Sequence, residues 1–266
     1  MKYKGNILKM NAKLGNVVDY YLPIGNSLIY LNELLGKELS ISFFKKINCI
    51  NCGKETKTSF AQGYCYNCFI SLPQTDAGIL RPELDQSHLG ISRDMTWARK
   101  NSLIDHYVYL AISSNLKVGV TRHIQATNRW IDQGASQTIK LAVTPNRHLA
   151  GTIEVELKKH LSDKTNWRLM LSGHPNLGIN LLEEKEKFGK LLTDKQKTYI
   201  TDDNWITEIR YPVLKYPEKV STINFEKQDN FTGILTGIKG QYLMFEEGYV
   251  LNIRKYNGYL FEIETD

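Results

Sequence analysis

Residues 106–121 read His106-Tyr-Val-Tyr-Leu-Ala-Ile-Ser-Ser-Asn-Leu-Lys-Val-Gly-Val-Thr121. The run from His106 to Ile112 is rich in aromatic and β-branched residues and predicts a strand. Asn115 marks a turn, and Leu116 to Thr121 supplies a second strand, so the stretch is a hairpin. Ile124 to Gln133 follows as a helix, with Ile124, Trp130 and Ile131 as apolar anchors and Gly134 as its C-terminal cap. Gln137 to Val143 is a third strand. In the next helix, Leu149 to Leu161, leucine or isoleucine recurs at 149, 153, 157 and 161. Residues 105–180 therefore read as a small α/β module.

The flanks have a different character. Residues 1–46 alternate apolar and polar side chains over short runs. Strands are expected at Asn6 to Met10, Tyr20 to Leu22 and Leu39 to Phe44, with a helix at Ser27 to Leu35. Residues 73–104 hold Pro73, Gly78, Pro82 and Gly90 among charges and read as an extended connector. Residues 181–220 form a helical and irregular linker, with a charged, mostly exposed helix from Leu181 to Lys197. Phe231 to Glu264, within a β segment at 221–266, is a run of short strands with turns at Lys239-Gly240, Glu247-Gly248 and Asn257-Gly258. At about 35 residues it is too small to stand alone, so it should pack with the N-terminal strands as a small antiparallel barrel.

Between these parts, at 47–72, lie all four cysteines of the chain: Cys49-Ile-Asn-Cys52 and, twelve residues on, Cys65-Tyr-Asn-Cys68. Two Cys-x2-Cys pairs are the strong form of a zinc signal, each pair aiming two thiolates at one ion. Gly53 and Gly63 supply the backbone freedom such knuckles need. The set leaves no open ligand position, so the zinc is read as structural. The expected class is α+β: a four-cysteine zinc ribbon, the α/β module and the terminal barrel.

Of the 266 residues, 34 are Lys or Arg and 28 are Asp or Glu. Residues 1–200 hold 27 basic and 17 acidic side chains, whereas 201–266 hold 7 and 11. A basic body suits a polyanionic partner such as nucleic acid. A zinc ion held by four thiolates subtracts two charges, which moves the argument from the whole chain to local clusters of cations. No apolar run approaches the ~18 residues of a membrane span, and the opening Met-Lys-Tyr-Lys-Gly is not a signal peptide. A cytoplasmic location and no membrane partner are expected.

In its order of residues the module resembles the GIY-YIG nuclease superfamily, and within it the branch whose second motif reads Lys-Ile-Gly-x-Thr. Val108-Tyr109 stands at the first motif, with Tyr107 as its neighbour, and Lys117-Val-Gly119 stands at the second. Arg129 stands at the catalytic arginine, Glu154 at the metal-binding glutamate and Asn166 at a downstream asparagine. The resemblance implies a metal-dependent phosphodiesterase. Tyrosine would help activate water, arginine would grip phosphate, and glutamate would hold one Mg or Mn ion. Tyr107 and Tyr109, two apart on a strand, share a face. Gly119 would permit close approach of backbone or substrate. Lys117 replaces the second tyrosine; protonated, it binds phosphate or lowers the pKa of a nearby phenol but is no general base. Glu156 rivals Glu154, the two being about 200° apart on a helix.

The whole chain also resembles an uncharacterised bacterial family of unknown function. The matching stretches include Gln62-Gly-Tyr-Cys-Tyr-Asn-Cys-Phe69, Arg129-Trp-Ile-Asp-Gln-Gly-Ala135, Asp163-Lys-Thr-Asn-Trp-Arg168 and Gly237-Ile-Lys-Gly-Gln-Tyr-Leu243. Relatives carry further cysteines where Gly78 to Asn101 has none, so a second metal site is expected to be lost. Asp85, His88 and Asp94 are its remaining candidates. Three functional classes stay open. One is a nuclease using Tyr109, Lys117, Arg129 and Glu154. Another is a non-catalytic adaptor for RNA, a ribosome or an RNP, whereas the nuclease's target, DNA or RNA, stays open. The last is a scaffold without nucleic acid. Tyr107, Gly119, Thr121, Arg122 and Arg147 are the further nucleic-acid contacts.

Overall fold

Alternating burial along the last strand of the chain shows how its two ends are joined. From Tyr259 to Thr265 every second residue is buried, the half-buried pattern of a strand covered on one face. The structure, a computed structural model, describes residues 1–161, 165–173 and 178–265. It divides into two units: Met1–Ile70 with Leu171–Gly173 and Arg210–Asp266, and Ser71–Met170 with His174–Ile209.

In chain order the first unit opens with β1 (Lys2–Asn6), β2 (Asn11–Lys13), β3 (Asp19–Ile24), β4 (Ser27–Tyr30), β5 (Glu38–Ile47) and α1 (Tyr66–Ser71). The chain continues through α2 (Ala77–Leu80), α3 (Met95–Asn101), β6 (His106–Ile112), β7 (Leu116–Arg122), α4 (Ala126–Asp132) and β8 (Gln137–Thr144). Next come α5 (Arg147–Leu157), α6 (Trp167–Leu171), α7 (Leu181–Lys190), α8 (Asp194–Lys197) and β9 (Ile206–Glu208). It then returns to the first unit with β10 (Ser221–Thr222), β11 (Asn230–Lys239), β12 (Tyr242–Phe245), β13 (Tyr249–Asn252) and β14 (Tyr259–Thr265). The fold is mixed helix and sheet. No helix among the described residues is long and apolar enough to cross a membrane.

In the first unit β14 lies between β1 and β5, and the seven-stranded order is β1-β14-β5-β11-β12-β13-β10. The terminal strands thus share one sheet, but it differs from the expected antiparallel barrel. Its order is open, and two-residue β10 joins β13 in parallel. Phe225 packs edge-on against Phe261 at 4.8 Å and Tyr256 at 5.6 Å, the arrangement that ring quadrupoles favour. The buried Gln241 amide clamps Met10, accepting from its N–H at 2.8 Å and donating to its carbonyl at 3.0 Å.

Two N-terminal expectations are corrected. The strand expected at Asn6 to Met10 lies earlier, as β1, because Lys2–Asn6 has β14 to pair with. The helix expected at Ser27 to Leu35 is instead β4 followed by a 3-10 turn at Leu31–Leu34. Pairing of Ser27 and Ile29 with β3 overrides the local helical pattern.

The second unit holds a four-stranded antiparallel sheet, β7-β6-β8-β9. The hairpin, third strand and both helices read from 106–161 are present, and Gly134 ends α4 at φ 65°. Helix α5 starts at Arg147, behind an Asn146 side-chain cap, and lays Ala150, Ile153 and Leu157 on the core of Val108, Leu110, Val118 and Leu141. Ile124 is no anchor: it is 63% exposed, and the chain there is a 3-10 turn. Leu181, Lys185 and Phe188 of α7 are buried rather than exposed.

Residues 73–104 are not extended. They fold into α2, α3 and 3-10 turns because Asp76 and Asp94 cap helix N-termini and Pro73 and Pro82 sit at first helical positions. Asp163 and Lys164 of the family-like stretch lie outside the described residues.

Gly258 closes the first unit. Its φ is 82°, and a Cβ there would meet the Asn48 carbonyl, while its own carbonyl accepts from Asn48 N–H at 2.8 Å. Gly258→Ala should destabilise the protein by about 1–3 kcal/mol, read as a lower urea midpoint.

Candidate metal centre and candidate catalytic cluster

The four cysteines lie in the first unit, in the turn after β5 and at the start of α1. Their sulfurs all lie within 4.8 Å of one another. The Cys52 and Cys65 sulfurs are 3.8 Å apart. A tetrahedron of thiolates with ~2.3 Å bonds to a central ion has edges of about 3.8 Å, so the set fits one metal ion. None of the cysteines is in a disulfide. The knuckles are tied together by Ile50 N–H donating to the Gly63 carbonyl at 2.9 Å, and Asn51 Nδ2 donates to Cys68 Sγ at 3.5 Å. Burial raises the Cys49 thiol, but backbone N–H groups of Cys52, Cys65 and Asn51 outweigh it and bring it down to about 6. Those amides prepare a thiolate. Among the described residues no other group of three or more potential ligands converges. Asp85 instead accepts from Ser102 Oγ at 2.6 Å, Asp94 caps α3, and His88 stacks on His148 at 4.3 Å.

In the second unit, Tyr109 on β6 is fully buried. Its hydroxyl donates to Gln133 Oε1 at 2.9 Å, and its ring meets Trp130 edge-on at 5.9 Å. Burial pushes the phenol up to about 12, although the adjoining Arg129 guanidinium opposes the rise. At neutral pH Tyr109 therefore keeps its proton and serves as a hydrogen-bond donor. Glu154 acts on the same hydroxyl electrostatically. The charges of Arg129 on α4 and Glu154 on α5 thus both reach the Tyr109 hydroxyl on β6. Glu154 is 7% exposed and pairs with Lys158 at 3.2 Å. Glu156 pairs with Lys159 at 2.6 Å. Of the two glutamates, Glu154 is the more buried.

Lys117 joins Tyr109 indirectly. It is 3% exposed, and its ammonium donates to Gln133 Oε1 at 2.5 Å and to Thr165 Oγ1 at 2.9 Å. Gln133 was not singled out in the sequence, yet it bridges Tyr109 and Lys117. A signal was present: it lies four residues after Arg129, hence on the same helix face. Thr165 had no sequence signal.

The remaining expected residues have other surroundings. Tyr107 packs edge-on to His123 at 6.4 Å, with Lys140 Nζ 4.9 Å from its ring. Thr121 is buried, and its hydroxyl donates to the Arg122 carbonyl at 3.3 Å. Arg122 donates to Asn101 and Gln125. Arg147 donates to the carbonyls of Gly78 at 2.7 Å and Ile79 at 2.6 Å, and burial lowers it to about 10. Asn166 caps α6 by accepting from Leu169 N–H at 3.2 Å. The space at Gly119, expected for substrate or backbone, is filled by Tyr109: a Cβ there would be 2.7 Å from the phenol oxygen.

Residues 36–261 match the family model described as "Protein of unknown function (DUF2797)". No curated protein and no solved structure matches the chain.

Gly119→Ala should displace the Tyr109 ring and cost about 1–3 kcal/mol. A second change, Tyr109→Leu, should recover part of that loss. Strict additivity of the two in denaturant unfolding would mean the close approach is unimportant.

Proposed function

The chain belongs to the DUF2797 family, and from that premise we propose that it is a cytoplasmic, zinc-stabilised nucleic-acid-binding protein. In this reading the second unit is a GIY-YIG-like phosphodiesterase, and a zinc ribbon stiffens the first. The observation that carries the catalytic part is that the charges of Arg129 and Glu154 both act on the buried Tyr109 hydroxyl, which Gln133 also binds.

The parts suit phosphodiester chemistry. Arg129 would hold the scissile phosphate and offset charge as it builds on the oxygens. Tyr109, whose one O–H is given to Gln133, would act through its phenol oxygen in positioning Arg129. Gln133 would fix the phenol and the Lys117 ammonium relative to each other. Glu154 fits Mg or Mn, which take one or two carboxylates and fill their shell with water and phosphate oxygens. When bound, such an ion would supply Lewis acidity toward the leaving oxygen.

One observation favours a second reading. Tyr109 and Lys117 are 0% and 3% exposed, and their polar atoms are engaged with Gln133 and Thr165. A non-catalytic adaptor on RNA or a ribosome would keep such a cluster for folding and bind phosphates through exposed cations.

Purified protein should contain about one zinc per chain, and Cys52→Ser should lower that content and the thermal midpoint together. With Mg or Mn the protein should cut members of a DNA and RNA panel. Arg129→Ala and Glu154→Gln should each lower that rate about a hundredfold or more. Salt-sensitive binding without any cutting would select the adaptor.

A further inference from the structure

Three arginines of the second unit have no ion-pair partner among the described residues. Arg122 ends β7, Arg129 lies on α4, and Arg147 is the first residue of α5. Arg122 donates to the Asn101 side chain, and the backbone N–H of Arg147 donates to the adjacent Ser102 carbonyl at 2.8 Å. The two therefore flank the end of α3. His106 lies beside Arg122 in the β6–β7 pairing. Both Arg122 and Arg129 act electrostatically on Arg147.

Among the described residues no carboxylate is within ion-pair distance of any of the three. Their hydrogen-bond acceptors are neutral: Asn101 and Gln125 for Arg122, the Gly78 and Ile79 carbonyls for Arg147. Asp85 and Glu154 act on Arg147 from farther away, and Glu154 is itself paired with Lys158. His106 is held neutral by burial, with its Nδ1 on the Ile104 carbonyl. Arg147 thus feels two other guanidiniums and two carboxylates, of which Glu154 is already ion-paired and Asp85 is not.

Burying like charges without a counter-ion costs free energy, part of which a bound anion would recover. Each guanidinium has five N–H donors. The protein uses two of Arg147's and two of Arg122's, which leaves forks for a tetrahedral anion. An internal phosphodiester carries one negative charge and a nucleoside on each side. A terminal phosphate monoester carries about −1.5 to −2 at pH 7 and has one side open. The neutral acceptors of these two arginines and the partial burial of their side chains both match the monoester.

We propose that Arg122 and Arg147 form a receptor for a terminal phosphate, apart from the scissile phosphate assigned to Arg129, so that the second unit holds a nucleic acid by its phosphorylated end. This rests on the nucleic-acid reading above and narrows its substrate class.

The test is binding of one single-stranded oligonucleotide in three forms: 5′-phosphorylated, 3′-phosphorylated and hydroxyl-ended. Full-length zinc-loaded protein is used without added Mg or Mn, and fluorescence anisotropy is the readout. One phosphorylated form should bind at least about tenfold more tightly than the hydroxyl-ended form, the scale of one or two charge-assisted hydrogen bonds. Which form does so identifies the end. Inorganic phosphate should compete with it. Arg122→Gln should bring the ratio to about one. Arg147→Gln should do the same, but it also frees the Gly78 and Ile79 carbonyls, so Arg122→Gln is the deciding variant. Equal affinity for all three forms overturns the receptor and leaves nucleic-acid binding standing. No binding of any form overturns both.

Discussion

The placement of β14 between β1 and β5 is the constraint on which the rest of the chain depends. Backbone donors and acceptors of β14 are satisfied on both sides, by Lys2–Asn6 on one and by Leu39–Ile47 on the other. A buried strand has no cheaper way to pair its polar backbone. The first unit therefore cannot be completed until the last strand is available. Everything from Ser71 to Met170 and from His174 to Ile209 is in effect an insertion into a sheet made by the two ends. The Gln241 clamp on Met10 and the Gly258 approach to Asn48 are consequences of the same closure. The cysteine turn begins where β5 ends, so its geometry is anchored by that sheet. Asn257 adds a hydrogen bond to the Gln62 carbonyl, between the two cysteine pairs, at 3.0 Å.

In the second unit burial sets the chemistry. Tyr109 lies flat against β7 only because position 119 has no side chain, and the same packing removes its hydroxyl from water. A phenol so placed donates hydrogen bonds and does not give up its proton near neutral pH. Gln133 turns two buried donors, a phenol and an ammonium, toward one carbonyl oxygen. The arginines work in the opposite sense. Satisfied only by neutral acceptors, they leave a positive field that a carboxylate would have cancelled.

Sequence reasoning succeeded where the physical signal is local. Two Cys-x2-Cys pairs specify a converging thiolate set whatever the fold around them, because each pair is a tight turn with both side chains on one side. The hairpin at 106–121 and the helix carrying Ile153 and Leu157 were legible because period-2 and period-3.6 patterns report burial directly. It failed where a long-range partner decides. Ser27 to Tyr30 has a helical look, yet pairs with β3. Residues 73–104 are a different case, because the signal there is local: Asp76 and Asp94 cap short helices where the prolines suggest an extended chain. Gly119 was read as room for a substrate, and only the register Tyr109–Gly119 reveals that a ring of the same protein fills it.

By itself, then, the sequence determined the cysteine set, the α+β class, and which tyrosine, lysine, arginine and glutamate types stand in order along the middle of the chain. Tertiary structure alone decided their states. It buried Glu154, paired Glu156 with Lys159 and engaged Lys117 through Gln133. It also set Arg147 against backbone carbonyls and sealed Tyr109 from water. The reason is that residue type and spacing are fixed by the chain. Protonation, partner and exposure depend on which distant segment fills the neighbouring space, and that is settled only when the strands and helices pack.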